Sequence, residues 1–389
     1  MDFAIPPDLS EWQERVREFV RRELQPHDEI VERTGQVPAS ALEGLRRMGL
    51  FGTNTPREYG GLGHPMLASC LATEELAKAH AAFYYLSGVN VHIGSKAIEF
   101  AARPEVRDRW LPEIASGRTI AAFALTEPEA GSDVARIGTQ ARREGAHYVL
   151  DGRKTYVTNA AEAGIFTVFA TLDPRLGAKG LCAFAMPADT PGLRVGRAIP
   201  MTAGHGSSHC DLVLESCRVP AGNLLGEEHE GFRLAMRCLD AGRTHWGAYC
   251  AGAAQHLLDM ALSRVASRHT FGAPLGAHQG IQWMLADLAA AVHSARLVAY
   301  EAAWAYDHQP ERRTQAAAMA KLVGADAVFR VADATLQLFG GSGYSKDVPV
   351  ERIWREVRVV RILDGTSEMM KTIIGRHLVR DAQARNART

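Results

Sequence analysis

Apolar positions along the chain fall into three regimes. From residue 1 to about 120 they recur at helical spacing. Leu9, Trp12, Val16, Phe19, Val20 and Leu24 share one face of a segment that Pro26 is expected to stop. Residues 38–52, 66–86 and 87–117 repeat that period, and Gly or Pro punctuates each. From about 121 to 227 the runs shorten. Residues 119–127, 147–158, 164–172, 180–188 and 210–220 are brief apolar or alternating stretches split by Asp-Gly, Pro-Gly and glycine-rich turns. From about 228 the helical period returns over much longer spans, with no proline between Pro220 and Pro274. Residues 278–308 and 312–341 are Ala-rich and equally helical, which suits close-packed helices in a bundle or between subunits. The pattern predicts an α+β multidomain chain. It has a helical N-terminal domain over 1–120, a barrel-like antiparallel β domain over 121–227 and a C-terminal four-helix bundle over 228–389.

Length agrees: 389 residues exceed one ordinary core. Charge adds an exclusion. Lys plus Arg equals Asp plus Glu at 44 each, so no long-range pull draws the chain to nucleic acid or a membrane surface. No apolar run approaches the ~20 residues that span a bilayer. The six cysteines form no C-x-x-C pair, and the acidic, amphipathic start shows no secretory signal. Reduced thiols and a cytoplasmic location are the expectation.

Several stretches carry candidate chemistry, and each has a plain alternative. "ALTEPEAGSDVA" (124–135) surrounds Gly131 with small and hydroxyl residues. It could cradle the polar edge of a ring or phosphate, or be an ordinary acidic turn. "DGRKTYVTNA" (151–160) reads as a hairpin turn leading into a strand. Arg268 in "SRHTFGAPLG" offers a planar fork for phosphate oxygens, or is a solvated helix-end arginine. Gly340, Gly341 and Gly343 allow close approach of a ligand or second chain, or merely stop a helix. They make no G-x-G-x-x-G fingerprint. His205 and His209 are spaced like metal ligands, but glycine and serines between them favour a loop, and no metal is expected. Asp364 stands before a Gly-Thr-Ser turn and a last helix. Spacing alone makes it that helix's N-cap; a catalytic base is the other reading.

Taken in order, A-L-T-E-P-x-A-G-S-D, D-G-x-K-x-Y-V-T-N, C-R-V-P-x-x-N-L-L-G, R-x-x-F-G, H-Q-x-I-Q, Q-x-F-G-G-x-G-Y and D-G-T-S-E resemble the acyl-CoA dehydrogenase family over nearly the whole chain. The resemblance implies bound FAD and a homotetramer. By it, Phe123, Leu125, Thr126, Gly131 and Ser132 border the flavin or the thioester tail. Tyr156 and Thr158 lie at the isoalloxazine, with Thr158 near N5. Arg268 and Phe271, with Gln337, Gly340 and Gly341 of a neighbouring subunit, hold the pyrophosphate and adenosine. Thr366 and Glu368 complete the site, and Asp240 and Arg243 contact the pantetheine or acyl end. The implied substrate is a thioester of CoA or acyl-carrier protein, and the implied electron acceptor is an electron-transfer flavoprotein.

The implied reaction is α,β-dehydrogenation to a 2-enoyl thioester. A thioester α-C–H is a very weak acid until fixed donors polarise its carbonyl in a dry site. In the family those donors are a flavin ribityl hydroxyl and the backbone N–H of the base residue. A carboxylate then takes the α-proton while the β-hydrogen leaves as hydride to flavin N5. Three departures stand out. The base position holds Asp364 where the family usually has Glu, a loss of about 1.5 Å of reach. Gly242 occupies the place of the alternative base glutamate, and Leu363 that of a usual Tyr, which suggests a roomier pocket. Arg136 and Tyr156 replace a usual small residue and Trp. Two other functions share the fold: a flavin oxidase or monooxygenase, and a catalytically silent flavoprotein.

Overall fold

The computed structural model describes residues 4–387. In chain order the helices and strands are α1 (Pro7–Phe19), α2 (Asp28–Thr34), α3 (Ala39–Arg47), α4 (Met66–Leu76), α5 (Ala81–Val89), α6 (Lys96–Ala101), α7 (Pro104–Ala115), β1 (Ile120–Ala124), β2 (Gln140–Glu144), β3 (His147–Thr158), β4 (Ala163–Thr171), β5 (Leu181–Pro187), β6 (Leu193–Ala198), β7 (His209–Pro220), α8 (Gly231–Ser267), β8 (His269–Thr270), β9 (Ala273–Pro274), α9 (Gln279–His308), α10 (Arg313–Phe339), α11 (Val350–Arg358) and α12 (Ser367–Asn386). Pro26 does not end the first helical stretch cleanly. Beyond α1 a π turn, Val20–Leu24, and a 3-10 turn, Gln25–His27, take up the strain, and α2 begins at once. The chain divides into two compact units, Arg22–Pro65 with Ala81–Gly242, and Met1–Arg21 with Met66–His80 and Arg243–Thr389.

The first unit is built on a seven-stranded sheet in the order β1-β4-β2-β3-β7-β6, with β5 paired to β4. Most pairs are antiparallel; β1 and β4 run parallel from Ile120↔Ala163 to Ala124↔Val168. The period of two explains why β4 and β5 are apolar throughout. Phe166, Val168, Cys182, Phe184 and Met186 enter one core. Ile165, Phe169, Leu181, Ala183 and Ala185 enter the other, with Ile98, Leu111 and Ile114 from helices and Leu234, Ala235 and Cys238 from α8. One sequence expectation is corrected. Asp151-Gly152 is not a hairpin turn but lies inside the continuous strand β3, at a register shift against β7. The Asp151 carboxylate accepts from the Ser216 N–H at 2.6 Å, and a Cβ on Gly152 would lie 2.5 Å from Thr139 Oγ1. The reversal between β2 and β3 falls instead at Gly145, φ 61°.

The second unit is helical. Its alanines let backbones approach: Ala295, Ala299, Ala302, Ala303 and Ala305 of α9 and Ala316, Ala317, Ala318 and Ala320 of α10 are buried. A Cβ on Gly252 of α8 would lie 2.0 Å from the Glu74 carbonyl oxygen of α4. Helix α4 is buried almost all round, and its two acids are met inside the same unit. Glu74 accepts from Arg296 at 2.9 Å and Tyr300 at 2.6 Å; Glu75 accepts from Gln13 at 3.0 Å, Arg17 at 3.1 Å and Lys78 at 2.6 Å. Among the described residues no helix is long and apolar enough to cross a membrane.

The close approach of α8 to α4 makes a prediction. Gly252→Ala forces a methyl group against backbone and should destabilise the protein by about 3 kcal/mol. Gly280→Ala in α9, where a Cβ meets nothing within 4 Å, should be neutral or stabilising. Denaturant unfolding of the two variants beside the wild type checks both, and equal midpoints would refute the packing argument.

Candidate active site

In the sheet-bearing unit, the loop after β1 and the end of β3 are tied by one buried pair. Lys154, fully buried, donates to Glu127 at 2.7 Å and to the Leu125 carbonyl at 3.2 Å. Glu127 also accepts from the Gly138 and Thr139 amides at 2.6 and 3.0 Å. The Thr126 carbonyl accepts from Thr155 N–H at 2.9 Å. Burial pushes the Lys154 ammonium down to about 8, and the Glu127 charge opposes that. A register shift between Lys154 and Val157 bulges the strand, and Tyr156 takes φ 54°. Its ring is thrust outward, 57 % exposed, while Lys154, Thr155 and Val157 point inward. Thr158, two residues on, shares the outward face and is half-buried. The hydroxyls of Thr126, Ser132 and Thr158 have no partner among the described residues, and a Cβ on Gly131 would meet nothing within 4 Å. Leu125 is buried and Phe123 packs on Phe169 with ring centroids 4.9 Å apart, so these two support the wall from behind.

The helical unit holds the second group. R-x-x-F-G folds as the two-stranded hairpin β8–β9, whose two-residue turn is Phe271-Gly272, both at positive φ (49° and 78°). Phe271 stands 97 % exposed at the tip. Arg268 at its base is exposed, and its guanidinium has no partner among the described residues. Gln337 is exposed on the last turn of α10, and Gly340 leaves that helix at φ 61°, ψ −140°. Gly340 and Gly341 face open space. Leu275 and Ile281 pack with Leu338 in one small core, which holds the hairpin beside the end of α10.

The third group surrounds Asp364. The N-cap of α12 is Thr366, whose hydroxyl accepts from Met369 N–H at 3.3 Å. Asp364 is therefore not the cap, and the reading from spacing alone is corrected. Glu368 turns its carboxylate to its own backbone N–H and to Thr366, which holds it below the usual carboxylate range. Asp364 itself adopts φ 50° and Gly365 φ 99°. That φ favours glycine at 365, where a Cβ would also lie 2.9 Å from Met370 Cε and 3.2 Å from Arg243 Nη2. Arg243 Nε donates to the Asp364 carbonyl at 2.9 Å, and Lys321 Nζ donates to the Gly365 carbonyl. Trp246 Nε1 donates to Asp364 Oδ2 at 2.9 Å. The remaining oxygen, Oδ1, and the Asp364 N–H have no partner among the described residues. Burial raises the Asp364 carboxyl above its ordinary value, against the Trp246 hydrogen bond and the Lys321 and Arg243 charges. Leu363 is half-buried beside it; Asp240 and Gly242 lie buried in α8.

Family models match over most of the chain, with the first group inside the middle-domain match and the other two inside the C-terminal match. The acyl-CoA dehydrogenase N-terminal domain matches residues 6–118, the middle domain 122–217 and the C-terminal domain 229–379. The human mitochondrial short-chain specific acyl-CoA dehydrogenase is 38 % identical over 94 % of this chain and 88 % of that one. The chain belongs to the acyl-CoA dehydrogenase family. Butyryl-CoA dehydrogenase from Megasphaera elsdenii superposes with a TM-score of 0.93 at 32 % identity, covering 97 % of this chain and 100 % of that one. A chain solved in work on the electron transferring flavoprotein of Acidaminococcus fermentans gives 0.94 at 34 % identity, covering 98 % and 100 %.

Within this acyl-CoA dehydrogenase fold, sequence reasoning missed Trp246 and Lys321. Trp246 had a signal: it lies three residues after Arg243, on the same helix face. Lys321 had none, because a lysine in an Ala-rich helix reads as a solvated one. Two variants test the supports. Lys154→Met leaves Glu127 without its cation and should cost about 3 kcal/mol, with part regained in the double variant Lys154→Met/Glu127→Gln. Thr366→Ala should cost about 1 kcal/mol, whereas Asp364→Asn should leave the start of α12 intact. Urea titrations read the first pair, and amide hydrogen exchange at 367–370 reads the second.

Proposed function

We propose that this chain oxidises an acyl-CoA thioester between Cα and Cβ with Asp364 as the base that takes the α-proton. The oxidoreductase class and the dependence on FAD follow from family membership. The residues fit that cofactor. Free hydroxyl donors at Thr126, Ser132 and Thr158, the outward Tyr156 ring and the open backbone at Gly131 suit the edge and face of a flavin. The unpaired Arg268 guanidinium suits a pyrophosphate. In this reading Phe123 and Leu125 back the flavin wall, and Phe271, Gln337, Gly340 and Gly341 serve the adenosine end. Thr366 and Glu368 complete the site, while Leu363, Asp240, Gly242 and Ser132 line the acyl or pantetheine path. Bound FAD supplies the hydride acceptor at N5.

The observation that carries the base assignment is the state of the Asp364 turn. One carboxylate oxygen is held by Trp246, and the other has no partner among the described residues. The unpartnered Asp364 N–H is a donor ready for a thioester carbonyl, where it would stabilise the charge that develops as the α-proton leaves. Burial raises the carboxyl's proton affinity, which brings a weak base closer to its task. Arg243 supports this turn through the main chain rather than through the acid. The three-part division at about 120 and 227 is retained, supported by the matched ranges. An electron-transfer flavoprotein as acceptor is supported by the likeness to the Acidaminococcus fermentans chain. The exposed Phe271, Trp283 and Tyr344 support a homotetramer, and six buried free thiols support a reducing, cytoplasmic setting.

Asp364→Asn should keep FAD and folding while slowing anaerobic bleaching of the flavin by acyl-CoAs by about three orders of magnitude or more. Bleaching at the wild-type rate with the best thioester of a straight, branched and cyclic panel would sink the assignment. Peroxide formed stoichiometrically on turnover would make the enzyme an oxidase instead. Arg268→Ala should purify with less FAD; full occupancy at unchanged affinity would remove Arg268 from the cofactor site. Light scattering of the holoenzyme should give four chains, and a stable FAD-replete monomer would overturn the assembly.

A further inference from the structure

The tryptophan beside the base has no part in the reaction as just described, yet its placement is specific. Trp246 is 4 % exposed, and its indole lies edge-on to Tyr249, with centroids 5.2 Å apart at 71°. Tyr249 is itself 3 % exposed, so the indole is packed against a buried neighbour. The indole's sole N–H reaches Asp364 Oδ2 at 2.9 Å. An apolar ring of similar bulk would pack as well and donate nothing.

Around the same turn, Arg243 and Lys321 hold main-chain oxygens, those of Asp364 and Gly365. Among the described residues the carboxylate has one hydrogen-bond donor, the indole. A half-buried carboxylate with one oxygen fixed and the other without a partner among the described residues is restricted in its rotation about Cβ–Cγ. The bare oxygen is then held at a set position for proton transfer. A donor to the charged form also keeps the acid ionised to lower pH than burial alone would allow.

We propose that Trp246 is the positioning residue of the base: its indole N–H locks Asp364 Oδ2, so that Oδ1 is the atom that receives the α-proton. The proposal rests on Asp364 being the base. The charged groups that face the carboxylate are Arg243 from α8 and Lys321 from α10; Glu368 of α12 and the Cys250 thiol of α8 act on it through Lys321. Burial lowers Lys321 to about 8, so it keeps its charge through the acid range where Asp364 titrates.

The sign follows. Removing the indole N–H removes a stabiliser of the anion, so the carboxyl binds its proton more tightly. The acid limb of the pH profile, below which the base is protonated, must move to higher pH. Trp246→Phe, purified with full FAD, should shift the acid limb of kcat/KM upward by about one pH unit. It should lower kcat more than it raises KM, because the acid and not the binding surface has changed. Trp246→Gln, which restores an N–H donor, should bring the limb back toward the wild-type position. A merely structural tryptophan predicts an unmoved limb in both variants.

A second measurement does not depend on either variant folding. The holoenzyme labelled with 5-fluorotryptophan carries six indoles. One fluorine resonance should titrate with the midpoint of the acid limb, and it should cease to titrate in Asp364→Asn. If no resonance titrates, or if the limb of Trp246→Phe coincides with that of the wild type, the positioning role is overturned. If Asp364→Asn still bleaches its flavin at the wild-type rate, the base assignment falls and the proposal with it. A resonance that still titrates with Asp364 would then report the indole contact without a catalytic meaning. The two failures are therefore distinguishable.

Discussion

A half-buried carboxylate must be restrained without being neutralised, and the helical unit is arranged around that demand. The Asp364–Gly365 turn is held at three points, each from a helix side chain: Arg243 and Trp246 from α8 and Lys321 from α10. Two of the three grip main-chain oxygens, and among the described residues only the neutral indole donates to the acid. Direct contact of both oxygens with a guanidinium would hold the carboxyl well below the usual range and make it a poor base. Cations set against the backbone give electrostatic support while leaving one oxygen bare. This arrangement needs α8 and α10 to run close together. Gly247 permits it: a Cβ there would lie 2.8 Å from the Ala320 Cβ.

The sheet-bearing unit meets a related demand with the opposite means. Its outward face presents hydroxyls, open backbone and one aromatic ring, and its stiffness comes from behind. The buried Lys154–Glu127 pair fixes the loop after β1 to the end of β3. The bulge at Tyr156 turns the consecutive side chains of Lys154 and Thr155 inward and leaves Tyr156 and Thr158 on the outward side. A buried ion pair is costly unless every lone pair and proton is met. Here Glu127 takes two backbone amides and Lys154 a carbonyl in addition to each other.

The period of the apolar residues made the three regimes legible, because burial of one helix face or one strand face leaves a direct trace in sequence. The long helices α8, α9 and α10 were readable for that reason. What failed to show was local geometry. Asp151-Gly152 has the composition of a hairpin turn, yet the strand runs through it, because Ser216 and Thr139 on its neighbours complete the bulge. Asp364 has the spacing of a cap, yet Thr366 is nearer the helix start and takes the amide. In both cases the deciding partner is distant in sequence or is a rival of equal chemistry two residues away. Trp246 and Lys321 escaped notice because an apolar-helix tryptophan and an Ala-rich-helix lysine have commoner explanations. Motif spacing reached the candidate site through family resemblance, and the partners that tune it were visible only in three dimensions.

The separation of Thr366 from Asp364 has a consequence for how such an enzyme can change. The hydroxyl that starts the last helix and the acid that faces the reaction sit on different residues, joined by a glycine that neither can replace. For a side chain at position 364 that tolerates its φ of 50°, the Met369 amide of α12 keeps its bond to Thr366 and Gly365 still fits beneath Arg243. Chemistry at that position is thereby separated from the capping of the last helix. A lineage, or a designer, can exchange the acid for one of different length or remove it while the scaffold stands, so reaction and substrate can drift on an unchanged frame.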